Sequence, residues 1–171
     1  MRGYSRSLAK AVGAKEAEIR NNRTESLYTY DRNGNLLYQA QGNQYAVDVD
    51  ESRIPKGSVV THNHPHDQSL SQGDVANAVA MDLSEIRAVG PKYTYSLKRP
   101  SGGWGVSAET ANETYNRTIN RIMAANSQHS HSMQGEARDR SIRRSHAIQQ
   151  HVTMKAIAKL YGWEYTKQRT N

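Results

Sequence analysis

The chain has 171 residues, a formal charge of +7, only 36% hydrophobic residues, no Phe and no Cys. That length suits one domain with an added element, and the missing Cys excludes disulfides, thiolate metal sites and a cysteine nucleophile. Residues 1–116 carry 13 Lys/Arg against 13 Asp/Glu, whereas residues 117–171 carry 10 against 3, so the whole basic excess lies in the last third.

No long apolar stretch follows the basic first residues, so neither a signal peptide nor a transmembrane span is expected, and the expected location is the cytoplasm. Ser7 to Arg20 is Ala-rich, with Leu8, Val12 and Ile19 at near-helical spacing, and predicts a helix. Glu25 to Asp31 is rich in strand formers. Asn33-Gly34 then supplies a hairpin turn into Leu36–Gln39. Gln44 to Val49 alternates and predicts a third strand, and Pro55-Lys56-Gly57 turns into a fourth at Ser58–Thr61. Ser71 opens a helix to about Met81; Glu85–Val89 and Tyr93–Leu97 read as strands on either side of Gly90-Pro91.

Pro100-Ser101-Gly102-Gly103 marks a boundary. Beyond it, Glu109–Ala125 and Glu136–Leu160 predict helices, separated by a polar stretch containing His129 and His131 that reads as a linker. In the second helix, Ile148, Val152, Ala156 and Leu160 form an i, i+4 stripe expected to pack inward, and Gly162 is a suitable terminator. The order of elements predicts an α+β fold, a mixed sheet flanked by helices, with residues 1–104 as one unit and 105–171 as a basic helical extension.

The chemistry concentrates in Thr61-His62-Asn63-His64-Pro65 and Ser71-Gln72-Gly73-Asp74. Two-residue spacing at a strand end puts His62 and His64 on one face of the sheet. Ser71 is placed as a helix N-cap, with Asp74 in the first turn, a pattern that also serves as a plain capping box. Two imidazoles and a carboxylate leave a tetrahedral Zn²⁺ one position short, the pattern of a catalytic site with room for water. The contiguous His-Asn-His is not the HNH nuclease signature, whose letters lie far apart in sequence.

These residues resemble the signature of the JAMM (MPN-type) zinc metallopeptidases, and His-Asn-His-Pro in particular resembles the bacterial RadC-like branch and the JAB-like domains of phage minor head proteins of the Mu F type. The resemblance covers about residues 8–100; the stretch from Pro65 to Ser71 is slightly shorter than in the family. It implies a JAMM/cytidine-deaminase-like sheet, a phage or mobile-element protein, and a zinc-dependent hydrolase acting on a peptide or isopeptide bond, with His62, His64 and Asp74 as ligands. It also implies a glutamate at the start of the first sheet strand as general base and acid. Glu25 stands there, with Glu16 and Glu18 as alternatives on the first helix. In the family the hydroxyl corresponding to Ser71 stabilises the oxyanion.

His66 and Asp67 lie in the loop beside this site, where they would shape access, while His146 and His151 read as surface or packing residues. Arg138, Arg140, Arg143 and Arg144 form a dense basic cluster suited to phosphates or to an acidic protein. A nucleic-acid-associated module and a phage assembly component are therefore the alternative expectations, and no membrane partner is expected.

Overall fold

The computed structural model describes the backbone of residues 5–126 and 135–170, and the side chains of 5–125 and 141–170. Helix α1 (Arg6–Ile19) is followed by the hairpin β1 (Ser26–Tyr30) and β2 (Leu36–Gln41), a 3-10 turn (Glu51–Arg53), β3 (Val59–Asn63), α2 (Gln72–Ala80), β4 (Glu85–Val89), β5 (Tyr93–Lys98), α3 (Ala108–Asn126), α4 (Gly135–Tyr161) and β6 (Glu164–Arg169). The strands form one sheet in the order β2-β1-β3-β4-β5-β6. β3 and β4 are parallel, and every other pair is antiparallel. The fold is α+β, as expected.

Local chemistry explains the hairpin. The Asp31 carboxylate accepts from the backbone N–H groups of Asn33 and Asn35 at 2.8 and 2.9 Å and from the Asn35 amide at 2.8 Å. Gly34 has φ +89°, and a Cβ there would lie 2.9 Å from the Ser7 backbone, so both the turn and the approach of α1 require glycine. Ser5 caps α1 by accepting from Leu8 N–H and donates its hydroxyl to the Arg32 carbonyl, which ties the helix to the turn.

Two hydrophobic clusters cover the two faces of the sheet. On one, Leu8, Val12 and Ile19 of α1 pack on Tyr28, Tyr30, Val59 and Val89. On the other, Leu27, Val60, Ile86, Ala88, Tyr95 and Leu97 meet residues of α2, α3 and α4, including Val75, Ala78, Tyr115 and Met154. Trp104 and Trp163 stack edge-to-face at 5.1 Å and join the same cluster, with Trp163 Nε1 donating to the Trp104 carbonyl. Residues 105–171 thus supply two helices and the sixth strand to the core that β1–β5 begin. No described helix is long and apolar enough to cross a membrane.

The structure corrects the expected third strand. Residues 44–49 have no ladder partner among the described residues. The chain instead turns at Asn43, whose side chain accepts from the N–H groups of Tyr45 and Ala46. Val47 and Val49 still pack on the core, so the alternation marks an inward face without a strand.

The inward stripe expected on α4 is also corrected. Ile148, Val152 and Leu160 are 53%, 43% and 67% exposed, and Ala156 is exposed as well. The buried face is Gln150, Thr153, Met154, Ile157 and Ala158. A run spaced only by four drifts about 40° per step around a helix of about 3.6 residues per turn, so it wraps the helix instead of defining one face. Gly162 does end α4: at φ +69° it lets Trp163 N–H bond to the Ala158 carbonyl at 2.8 Å.

Met154 is fully buried and Val152 is not. Met154→Ala is expected to cost about 2–5 kcal/mol, and Val152→Ala less than about 0.5 kcal/mol. Urea unfolding of the two variants measures the contrast.

Candidate metal centre

The site lies where a crossover begins. β3 and β4 are parallel and joined through α2, so the carboxyl end of β3 and the N-terminus of α2 share one edge of the sheet, the place where open sheets of this kind hold ligands. All five residues of β3 are buried. Val60 and His62 face α2–α4, while Val59 belongs to the cluster beneath α1. His64 extends the ladder by one step, its N–H bonding to the Val89 carbonyl at 2.9 Å, and period-2 alternation returns its ring to the face of His62.

The side chains converge. His62 Nε2 and His64 Nε2 are 2.9 Å apart. Asp74 Oδ1 lies 3.2 Å from His62 Nε2, and Asp74 Oδ2 lies 3.6 Å from His64 Nε2. One ligand atom from each residue falls within 4.8 Å of the others, so His62, His64 and Asp74 form a group that could hold a metal ion. Asp74 reaches the histidines despite the short loop.

That loop is pinned along its length. Asp67 (φ +61°) accepts at its carboxylate from Lys92 and Tyr93 N–H, with Gly90 so close beneath that a Cβ there would collide with the Asp67 side chain. Ser69 Oγ bonds Tyr165 Oη at 2.7 Å, and the Leu70 carbonyl accepts from Tyr115 Oη at 3.1 Å.

The surroundings orient each donor. His64 Nδ1 is 3.0 Å from the Gln68 carbonyl, which assigns the ring proton to Nδ1 and leaves the Nε2 lone pair toward His62 and Asp74. Ser71 and Asp74 form a reciprocal capping box: Asp74 N–H donates to Ser71 Oγ at 3.1 Å, and Ser71 N–H donates to Asp74 Oδ2 at 2.6 Å. The box occupies one carboxylate oxygen and leaves Oδ1 for the histidine side. His62 Nδ1 is buried without a partner in hydrogen-bond geometry, although the Arg87 backbone contributes to stabilising its charged form.

Charge is distributed unevenly over the group. Burial opposes charging His62, but Asp74 and then Glu25 outweigh it and raise its pKa. Burial, with His62 adding repulsion, pushes His64 down to about 4. Burial also opposes the Asp74 carboxylate, yet His62, His64 and the Ser71 N–H hold it far below the usual range. Without metal, the proton of the group is therefore favoured on His62, between His64 and the Asp74 carboxylate. A divalent cation could take the place of that proton.

Glu25 is buried just before β1 and lines the same cavity, of about 540 Å³, as His62, His64, Ser71 and Asp74. β1 pairs Leu27 with His62; continuing that register sets Glu25 beside His64 on the same face. Burial raises the Glu25 pKa, His62 opposes the rise and Asp74 adds to it. Glu16 lies on the other side of the sheet, where Arg87 grips it through Nε at 2.6 Å and Nη2 at 3.0 Å and Thr61 donates to it. Glu18 is exposed and pairs with Lys15.

One site residue escaped the sequence reading. Asn63, between the two histidines, is fully buried and points to the α1 face. Its Oδ1 accepts from Ser26 N–H at 2.8 Å and its Nδ2 donates to the Thr24 carbonyl at 2.9 Å, gripping the chain on both sides of Glu25. An amide fully enclosed in a strand needs such partners; its place between two strand-end histidines was the available signal.

The remaining expectations separate. His66 lines the metal cavity, whereas the Asp67 carboxylate is taken by the backbone of the β4–β5 turn. Arg143 lines the metal cavity and a neighbouring cleft, and Arg144 lines that cleft only. His146 Nδ1 sits 3.4 Å from Gln68 Nε2, and His151 Nδ1 bonds Tyr165 Oη at 2.8 Å. His129 and His131, and the side chains of Arg138 and Arg140, lie outside the described residues.

Two outcomes follow. Asn63→Ala strips partners from Ser26 and Thr24 and is expected to cost about 1–3 kcal/mol in urea unfolding. In metal-free protein, His64 titrates near 4 when folded, against 6.5 for an ordinary histidine, so the unfolded chain binds more protons between those values and stability falls as pH drops through that window. His62, shifted upward, stabilises fully below 6.5 and loses its contribution as pH rises through its folded pKa. Melting temperature against pH, in chelator, should therefore lose part of its acid-side slope in His64→Gln. No family model, no curated protein and no solved structure matches this chain.

Proposed function

We propose that the protein is a zinc-dependent hydrolase of the JAMM type that cleaves a peptide or isopeptide bond. The observation that carries this reading is the convergence of His62, His64, Asp74 and Glu25 in one cavity at the carboxyl end of β3. Two imidazoles and one carboxylate are a donor set that catalytic Zn²⁺ sites use. The free face of the group opens into the cavity, where water and a carbonyl have room. The sequence resemblance described above supports the same assignment of roles.

Zinc held there supplies Lewis acidity, polarising a carbonyl and making water a better nucleophile near neutral pH. The protein groups do the rest. Glu25, basic enough through burial, accepts a proton from the attacking water at its carboxylate and returns it to the leaving amine. The Ser71 hydroxyl accepts from Asp74 N–H but keeps its own O–H free, so the cap leaves a donor available for a developing oxyanion. His64 and Asp74 keep fixed orientations through the Gln68 carbonyl and the Ser71 N–H. Leu27, Val47, Val49 and Val60 form an apolar wall that excludes bulk water from one side of the cavity.

Wild-type protein purified without chelator is expected to carry one zinc per chain by elemental analysis. Asp74→Asn should lose it, since a neutral amide is a poorer ligand. Glu25→Gln should keep the metal while cleavage of a peptide and isopeptide library, followed by mass spectrometry, slows by about 10²–10⁴-fold. A zinc-free wild type whose melting temperature ignores both chelator and added zinc contradicts the proposal.

A further inference from the structure

Beside the metal cavity lies a second cleft of about 630 Å³, which shares His66 and Arg143 with it. Four cations reach it from three elements: Lys92 from the β4–β5 turn, Arg143 and Arg144 from α4, and Lys167 from β6. All four are exposed, and none has an ion pair among the described residues. Among the described residues the one carboxylate lining the cleft, Asp67, is already bonded to two backbone N–H groups. Four cations without an ion pair among the described residues, gathered around one concavity, favour a positive field there.

The walls favour one kind of anion. Lys167 sits 3.9 Å above the Tyr93 ring and covers it, Tyr95 is only 2% exposed, and the Tyr165 hydroxyl is held between Ser69 and His151. No open aromatic platform therefore remains in the cleft for stacking bases, the usual partner of a basic groove that binds single strands. Ile148, at 53% exposure, lines the cleft and offers contact to an apolar side chain. A second copy of the chain is disfavoured by its own basic charge on this side: residues 141–170 carry six Lys/Arg and only Glu164 as an acid.

We infer that this cleft binds an acidic peptide segment, carboxylates against Lys92, Arg143, Arg144 and Lys167 and an apolar side chain against Ile148. Because the two cavities share His66 and Arg143, a segment bound there continues toward the metal. The cleft thereby selects substrates with acidic residues near the scissile bond, a consequence that rests on the proposed hydrolase; the binding itself does not.

Fluorescence anisotropy of a labelled poly-glutamate peptide on the full chain, stripped of metal by chelator, tests the cleft without contribution from zinc. Saturable binding that weakens with salt is expected. Arg144→Glu with Lys167→Glu should weaken it by about tenfold or more. Lys155→Glu with Lys159→Glu, the same charge change on exposed positions outside the cleft, should weaken it by less than about threefold. If the first double variant melts early, Lys92→Glu on the turn should show the same direction of effect. Equal losses in both double variants, absence of saturable binding, or tighter cleft-dependent binding of an oligothymidylate of matched length would each overturn the inference.

Discussion

Everything about the site depends on how β3 ends. A strand presents successive side chains to opposite faces, so His62 and His64 share one face and Asn63 takes the other. The first pair meets Asp74 from the start of α2. The amide between them turns to the α1 side and grips Ser26 and Thr24. One five-residue strand and its next residue therefore position ligands directly and Glu25 indirectly. A shift of one residue in the register of β3 would exchange the faces and destroy both arrangements at once.

The two faces manage charge differently. Beneath α1, Arg87 bridges Glu16 and Glu85, and the hydroxyls of Thr61 and Ser96 donate to the same Oε1 atoms that it contacts. Every strong charge there has a partner, which is the condition for burying one. Over the other face, His62, His64 and Asp74 are in contact and Glu25 lines the same cavity, and their ionisation is pulled in opposite directions. His62, His64 and Asp74 in this cluster could hold a metal ion, which would complete it. The neighbouring cleft gathers exposed cations from three separate elements.

What could be read from the sequence was what is local. The Asn33-Gly34 turn, the His-x-His strand end and the Ser71–Asp74 cap are each decided by a few adjacent residues, and each stands where the sequence put it. Distant pairing was not legible. Val47 and Val49 alternate inward, yet they pack on the core without joining the sheet. β6, Glu-Tyr-Thr-Lys-Gln-Arg, drew no strand prediction, because an edge strand needs little apolar surface and charged residues protect it from further pairing. On α4 the buried face includes Gln150 and Thr153, so hydrophobicity alone selected the wrong residues. Asn63 looked like a spacer until the strand start that it holds was in view.

The account stands on His62, His64 and Asp74 acting as one ligand set. X-ray absorption of the zinc-loaded protein measures that set directly. The expected first shell is four-coordinate, with two imidazole nitrogens at about 2.0–2.1 Å and the remaining ligands oxygen, and Asp74→Asn should disturb it while Glu25→Gln leaves it intact. A shell of oxygens alone, a shell with a single imidazole, or one unchanged by Asp74→Asn would contradict the account.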